Sequence, residues 1–227
     1  MCYYVGNILR EATVMKRKLP ALPEYPEQAN LEQAARRALA MDEDVEQLCF
    51  MDDAMEGLEG QSLTFSSCVF RRVRFGEDAL EHLSFVDCQL DHCDFSGFKL
   101  LEGALHRVEF LSCRGMGAQF DRSSLRDVLF RECRVGYLTL SECKLNSAEF
   151  VDCELENLLL YECTLKSTVF EACRMPNAEV SGTSLRGIDL SGDDISGLRA
   201  PLSCLEGAIV SALQAPELCA LLGIKVK

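Results

Sequence analysis

Cysteine is the residue type in this chain with the widest chemistry, since a thiol can act as nucleophile, metal ligand or disulfide partner. The 227 residues include 13 cysteines. Thiol redox pairs and many zinc sites use two cysteines separated by two residues, and this spacing does not occur in the chain. The cysteines instead form series such as Cys93, Cys113, Cys133, Cys153 and Cys173, each twenty residues after the last. Such a series indicates a repeated structural position.

The other candidates for chemistry are three histidines and two aspartates. His82, His92 and His106 each lack a second histidine twenty residues away, so we expect them to be surface residues. Asp78 and Asp193 stand where small inward residues are expected, but neither has the partner that general acid or base catalysis requires. The motifs HExxH and GxSxG and a glycine-rich phosphate-binding loop are also missing. We predict no enzyme activity and no catalytic, cofactor-binding or metal-binding residues.

The elements that would position these residues follow from a repeat of five. Across residues 63–202, an apolar residue stands at almost every multiple of five, and only Gly115 and Ala200 depart from this. The residue two positions earlier is mostly small or apolar, and nine of the cysteines occupy this slot. A period of five fits neither an amphipathic helix nor a half-buried strand. It indicates a solenoid that turns a corner every five residues.

Units such as CKLNS, AEFVD, CELEN, CTLKS and TVFEA resemble pentapeptide repeats, and the resemblance covers about 140 residues. It implies an all-β solenoid, a right-handed parallel β-helix of square cross-section with four repeats per coil. The central residue and the one two before it would point inward. About seven to eight coils would then form a rod, roughly 34 Å tall for seven coils.

This geometry also bears on the cysteines. Cysteines stacked one coil apart would keep their Cβ atoms about 4.8 Å apart, whereas a disulfide needs about 3.5–4.5 Å. The number of cysteines is odd, and the chain shows no secretory signal. We therefore interpret them as small core residues of a cytoplasmic protein, and not as a redox or metal site.

The flanking segments are expected to close the rod. Residues 1–26 are predicted to form an N-terminal arm that is partly extended or disordered. Residues 1–14 look dispensable, and the part around Pro20, Pro23 and Pro26 is expected to be extended on the surface. Residues 27–44 hold a capping helix that Asn30 would begin, and residues 45–202 are the repeat. Residues 203–227 form a short helical cap that resembles the C-terminal cap of many bacterial members. A homodimer through a terminal cap is possible.

The charge of the chain suggests what kind of partner it has. Its net charge of −13 argues against direct binding to nucleic acid and allows a basic partner, and no apolar run is long enough to span a membrane. Outward acids follow the side of the rod that holds the predicted phenylalanine stack. The candidate partner surface comprises Glu109, Glu132, Glu149, Asp152, Glu171 and Asp189.

We therefore expect a non-catalytic scaffold whose charged faces bind another protein, although a solvated acidic face is the simpler interpretation of the stripe. The resemblance implies an alternative. Some members mimic duplex DNA, bind type II topoisomerases such as gyrase and protect them from quinolone-type inhibitors. Residues 61–200 hold 22 acids and 15 bases, whereas 34 Å of duplex carries roughly 20 negative charges. The rod would be a partial mimic.

Overall fold

The computed structural model of the chain describes residues 17–55, 57, 62–76, 79–221 and 223–224. These residues form a parallel β-solenoid of about seven turns, with helices at both ends. The predicted fold class is therefore confirmed. The predictions for residues 1–14 and for Asp78 concern positions outside the described ranges.

The regular elements are short and follow the corners of the coil. The helices are α1 Leu31–Met41, α2 Leu202–Leu205 and α3 Ala215–Leu221. The strands are β1 Glu27–Gln28, β2 Val45–Glu46, β3 Leu48–Met51, β4 Ala54–Met55, β5 Leu63–Ser66, β6 Val69–Arg71, β7 Arg74–Phe75, β8 Ala79–Glu81, β9 Leu83–Asp91, β10 Lys99–Leu101, β11 Ala104–Leu111, β12 Gln119–Asp121, β13 Ser124–Arg131, β14 Thr139–Ser141, β15 Lys144–Val151, β16 Leu159–Tyr161, β17 Thr164–Lys166, β18 Val169–Glu171 and β19 Glu179–Ser181.

Successive coils pair in parallel with a register of 20 residues, which equals four repeats. In the β11–β13 pair, for example, Val108 lies beside Val128 and Phe110 beside Phe130. The largest sheet contains 11 strands, and its main path runs β1-β3-β6-β9-β11-β13-β15-β17. A second sheet of six strands, β19-β16-β14-β12-β10-β8, forms another side. This register places residues 20 apart in vertical columns along the rod.

The core is a stack of the predicted inward residues. Leu125 and Phe130 occupy central positions of their repeats, and Val128 lies two residues before Phe130. All three side chains are fully buried. Phe110, Phe130, Phe150 and Phe170 stack with ring centroids 4.4, 4.9 and 5.1 Å apart. These distances are close to the spacing between neighbouring strands. The prediction of which residues point inward is confirmed.

Each corner places one residue in the left-handed region of backbone conformation. Non-glycine residues at this corner, two after a central position and between Gln47 and Asn177, have φ between 47° and 58°. Such a conformation costs a residue other than glycine about 1–2 kcal/mol. The corner amide is satisfied by the next coil, as where the Glu132 N–H donates to the Val151 carbonyl at 3.0 Å. The coils thus hold the corners in a conformation that the local sequence alone disfavours.

Gly115 interrupts the apolar pattern because a neighbouring ring fills its space. A Cβ atom on Gly115 would lie only 2.0 Å from Cε2 of Phe95, one coil below. The Phe95 ring also packs against Phe110, with ring centroids 5.3 Å apart. A large side chain one coil away therefore compensates for the missing one.

Helix α1 closes the N-terminal end of the rod. The Asn30 side chain accepts the Gln33 N–H at 2.9 Å, so Asn30 caps the helix as predicted. Asp53, in the first coil, accepts the Leu31 N–H at 2.7 Å and ties the helix start to the solenoid. Leu31, Ala35 and Ala38 form the buried face of the helix. These contacts cover apolar residues that the first coil would otherwise expose.

The C-terminal end is closed more loosely. Gln214 Nε2 donates to the carbonyls of Leu190 and Asp193, both at 2.8 Å, which ties the segment before α3 to the last coils. Helix α3 has no fully buried residue, and Leu213 is 90% exposed. No helix among the described residues is long and apolar enough to cross a membrane.

Candidate partner surface

The cysteines are buried at the corners, where their thiols link neighbouring coils. Cys133 Sγ donates to its own coil at the Arg131 carbonyl, 3.3 Å away, and to the coil below at the Phe110 carbonyl, 3.4 Å away. The same pattern recurs at Cys68, Cys88, Cys93, Cys113, Cys143, Cys153, Cys163 and Cys173. None of these nine cysteines forms a disulfide. Burial raises the pKa of the Cys113 thiol far above its ordinary value.

This hydrogen bonding was missed by an interpretation of the cysteines as simple apolar filler. A signal for it exists in the sequence, because Ser123 and Thr183 occupy the same slot as Cys143 and Cys163. Ser123 Oγ donates to the carbonyls of Leu100 and Asp121, as a thiol does. No cluster of three or more potential metal ligands occurs among the described residues. The geometry gives these thiols a structural role.

The six predicted surface acids do not form one continuous stripe. Glu109 and Glu149 lie in one column, two coils apart, with Leu129 in register between them. Glu132 and Asp152 lie one above the other at the next corner, and Glu171 lies beside that corner on the following coil. Asp189 continues the first column towards the C-terminal end. Glu109 and Glu149 differ from the other four acids in how the chain itself uses them.

Glu109 and Glu149 both bind Arg17, which lies near the start of the described chain. Arg17 Nη2 is 2.7 Å from a carboxylate oxygen of Glu109, and Arg17 Nε is 3.2 Å from one of Glu149. The Arg17 side chain is only 9% exposed. Burial raises the pKa of Glu149, and the positive charge of Arg17 opposes that shift. These two acids are therefore already occupied.

Residues 17–26, called the arm below, run along this corner of the rod towards its N-terminal end. The Lys18 N–H donates to Asp127 at 3.1 Å and the Ala21 N–H donates to Asp87 at 2.9 Å. Strand β1 then follows the arm and pairs with β3. From Lys18 to Ala21 the arm crosses two coils in three residues, roughly 9.6 Å, so this part is extended, and the chain bends at Glu24–Tyr25 before β1. The predicted extended arm thus has a defined docking site.

The docking site is a shallow groove, called the arm groove below, formed by Asp87, Glu109, Asp127, Leu129 and Glu149. Leu129 occupies an outward position of its strand but is only 2% exposed, and Asp87 and Asp127 are 8% and 7% exposed. The guanidinium of Arg107 donates two hydrogen bonds to the Asp87 carboxylate and lowers its pKa. The hydrogen bond from the Ala21 N–H lowers this pKa further. The groove was not predicted from the sequence. The opposite charges of residues 16–18 and of the outward acids are the signal that could have indicated it.

The remaining four acids form an open surface, called the acidic edge below: Glu132, Asp152, Glu171 and Asp189. All four are exposed, and none forms an ion pair with another described residue. Several acids elsewhere on the rod pair with an arginine one coil away, including Glu102 with Arg122 and Glu179 with Arg199. The acidic edge is thus a part of the predicted surface whose carboxylates have no ion pair with any residue that the structure describes.

The comparisons with known proteins agree with the geometry. Models of pentapeptide repeat regions match residues 61–140 and 83–158, and a model of eight pentapeptide repeats matches residues 153–192. Together these matches span more than half of the 227 residues. Among curated proteins, none matches this chain.

Solved structures with similar coils include a trypsin-treated variant of QnrB1, described as a plasmid-mediated fluoroquinolone resistance protein. It is 19% identical over 88% of this chain and 95% of that chain, with a TM-score of 0.40. HetL, a pentapeptide repeat protein involved in heterocyst differentiation regulation from the cyanobacterium Nostoc sp. strain PCC 7120, is 16% identical. It covers 80% of this chain and 97% of its own, with a TM-score of 0.31. At these identities the likeness concerns the fold alone.

Proposed function

Because the chain belongs to the pentapeptide-repeat family, we propose that it is a non-catalytic scaffold whose acidic edge binds a basic protein partner. One observation carries the proposal: four exposed carboxylates on neighbouring coils without an ion pair among the described residues. Like charges at strand spacing repel each other by tenths of a kcal/mol per pair. A basic partner would relieve this repulsion and gain from the complementary potential.

The chemistry of the remaining side chains supports the non-catalytic part of the proposal. The thiols at the inward corner slots donate to backbone carbonyls, so they are not placed to act as activated nucleophiles. The buried Asp193 accepts the Cys173 N–H at 2.7 Å, which is a structural contact. A thiol can act in this way only while it is reduced, which supports our proposal of a cytoplasmic location.

The test compares three immobilised proteins as baits in a lysate of the native host. One bait is wild type, and the second carries Glu132→Gln, Asp152→Asn, Glu171→Gln and Asp189→Asn. The third, a control, carries Glu81→Gln, Glu142→Gln, Glu156→Gln and Glu162→Gln, four exposed acids away from the acidic edge. Wild type and control should retain the same basic protein, and the acidic-edge variant should lose it. Equal retention by all three baits would overturn the proposal.

The second candidate function, mimicry of duplex DNA towards a type II topoisomerase, comes from the family resemblance. One feature counts against it: Arg17 pairs with two of the six acids that would represent phosphates, and so covers both and removes one unit of negative charge. A gyrase supercoiling assay separates the two functions. Inhibition at micromolar protein that the acidic-edge variant lacks would favour the mimic, and no inhibition at that concentration would remove it.

A further inference from the structure

The arm groove holds its occupant by polar contacts at a regular spacing. Lys18 and Ala21 are three residues apart, and their acceptors Asp127 and Asp87 are two coils apart. Three residues of polyproline II chain advance about 9.3 Å, and two coils of a β-solenoid rise about 9.6 Å. Between Lys18 and Ala21 the arm and the rod are therefore in register, so that two N–H groups three residues apart each meet an aspartate and the two aspartates lie two coils apart.

The arm sequence fits this register. Pro20, Pro23 and Pro26 are also three residues apart, one position before Ala21, Glu24 and Glu27. A polyproline II helix has three residues per turn, so Pro20 and Pro23, which precede the bend at Glu24–Tyr25, lie along one side and leave the Ala21 N–H on another. Proline also favours the extended conformation before binding, which lowers the entropic cost of docking. The groove thus matches a segment that begins with an arginine. Backbone N–H donors follow one and four residues after this arginine, and prolines three and six residues after it.

Two of the larger apolar side chains of the arm stay outside the groove, whereas Leu22 is half-buried. Leu19 is 54% exposed and Tyr25 is 87% exposed, so neither anchors the arm in an apolar pocket. Arg17 Nη1 is buried without a hydrogen-bond partner among the described residues. A tethered segment has an effective concentration of about millimolar, so modest intrinsic affinity is enough to keep it docked. These features describe an adequate but replaceable ligand.

We propose that the arm groove is a recognition site for an extended, arginine- and proline-containing segment of a partner protein, which the arm occupies as a built-in competitor. A partner segment that carried the same spacing and better side-chain contacts would displace the arm. The inference rests on the proposed function only in taking the partner to be a protein. The groove and the acidic edge are separate surfaces, so either can fail in a test without the other.

The probe is a fluorescent peptide with the sequence of residues 16–26, and its binding to full-length protein is measured by anisotropy at low salt. Wild type should bind it weakly because its own arm competes. Arg17→Ala frees the carboxylates of Glu109 and Glu149, and Ala21→Pro removes the N–H that Asp87 accepts without changing any charge. Each variant should bind the peptide at least about tenfold more tightly than wild type, because the tethered competitor is weakened.

Two controls make the result specific. A peptide with alanine in place of its arginine at position 17 should bind the Arg17→Ala protein at least about tenfold more weakly than the original peptide. Adding Asp127→Asn and Glu149→Gln to the Arg17→Ala protein should remove peptide binding. Thermal melting of every variant verifies that it is folded, and Ala21→Pro serves if Arg17→Ala is not. Peptide affinity no higher in either folded variant than in wild type would overturn the inference, whatever the acidic-edge test shows.

Discussion

The inward corner slots select small side chains, and in many coils the side chain can also donate a hydrogen bond. Cysteine meets both conditions at Cys133, since its thiol reaches two carbonyls on successive coils. Serine meets them at Ser123 with a hydroxyl at similar distances. Valine and alanine also occur in such slots, at Val128 and Ala148, so the donor adds to the packing without being essential. This explains why so many cysteines occur without any thiol chemistry.

Substitution of Cys133 separates packing from hydrogen bonding. Cys133→Ala should lower the free energy of unfolding by about 1 kcal/mol, because it leaves a small cavity and removes the donor. Cys133→Ser should cost less, since its hydroxyl can reproduce the contacts of Ser123. Urea unfolding of the three proteins gives the comparison. A serine variant less stable than the alanine variant would show that thiol hydrogen bonding is irrelevant to the column.

Asp193 lies one coil after Cys173, at the end of the cysteine column. Its ionised carboxylate suits this buried slot poorly at neutral pH. Its Oδ1 accepts the Cys173 N–H, but its Oδ2 is buried without a partner in the described structure. Burial raises the pKa of Asp193 above 3.8. A raised folded pKa means that the ionised form costs stability. Protonation therefore stabilises the fold below about pH 4, and that stability is lost as pH rises through the folded pKa.

Asp193→Thr should correct this fault, because Thr183 accepts the Cys163 N–H at 2.9 Å in an equivalent slot and donates to the Ser181 carbonyl. We expect the variant to gain about 1 kcal/mol in free energy of unfolding at pH 7. The gain should shrink as pH falls through the raised pKa of Asp193, because protonation removes the buried charge from the wild-type protein. Denaturant unfolding from pH 4 to 7 measures it. A gain independent of pH would contradict the role of the buried charge.

At the scale of elements, the sequence predicts the coils better than it predicts the arm. The position of an inward residue follows from a five-residue period, and neighbouring repeats repeat the same information. The docking of Arg17 on Glu109 joins residues 92 positions apart, and no local pattern records that distance. The same limit hid the capping contact between Leu31 and Asp53. The sequence predicted an extended, proline-spaced segment but not where it would lie.

The contacts of the arm lead to a prediction about truncation. A chain that begins at Met15 keeps Arg17, Lys18 and Ala21, so its melting temperature should equal that of the full chain. A chain that begins at Leu22 loses all three contacts and exposes Leu129. It should lose about 1–2 kcal/mol in free energy of unfolding. Calorimetry of the three proteins checks this. A lower melting temperature for the chain beginning at Met15 would show a stabilising role for the first 14 residues.

At the scale of the whole molecule, the two ends of the rod differ in how completely they are covered. Helix α1 buries Leu31, Ala35 and Ala38 on the first coil. The C-terminal end leaves Leu202, Ile209 and Leu213 exposed. An exposed apolar end on an otherwise acidic rod favours self-association through that end.

We therefore expect a homodimer through the C-terminal cap. Light scattering coupled to size-exclusion chromatography should give about twice the 25.3 kDa monomer mass. Leu213→Glu should give the monomer, because two like charges would meet at the dimer interface. Leu19→Glu changes an exposed leucine on the arm and serves as the matched control. A wild-type monomer at about 100 μM, far above a micromolar dissociation constant, would contradict the expectation.

The acidic edge was predictable from the sequence only as part of a larger stripe. Outward positions and their charges follow from the repeat, so all six acids were placed outside the core correctly. Their division into an occupied pair and an open group of four depends on the arm, which the repeat does not describe. The partition of the stripe is therefore a property of the folded chain and not of the repeat.

The most direct test of the account is the salt dependence of binding between the captured partner and the purified rod. Dissociation constants are measured for wild type, the acidic-edge variant and the control variant between about 50 and 300 mM NaCl, where screening changes strongly. Wild type and control should bind tightly at low salt, and their affinities should fall together as salt rises. The acidic-edge variant should bind at least about tenfold more weakly at low salt. Its affinity should approach theirs as salt rises. Equal affinity of the acidic-edge variant and wild type at low salt would contradict the account and leave the acidic edge as a solvated surface.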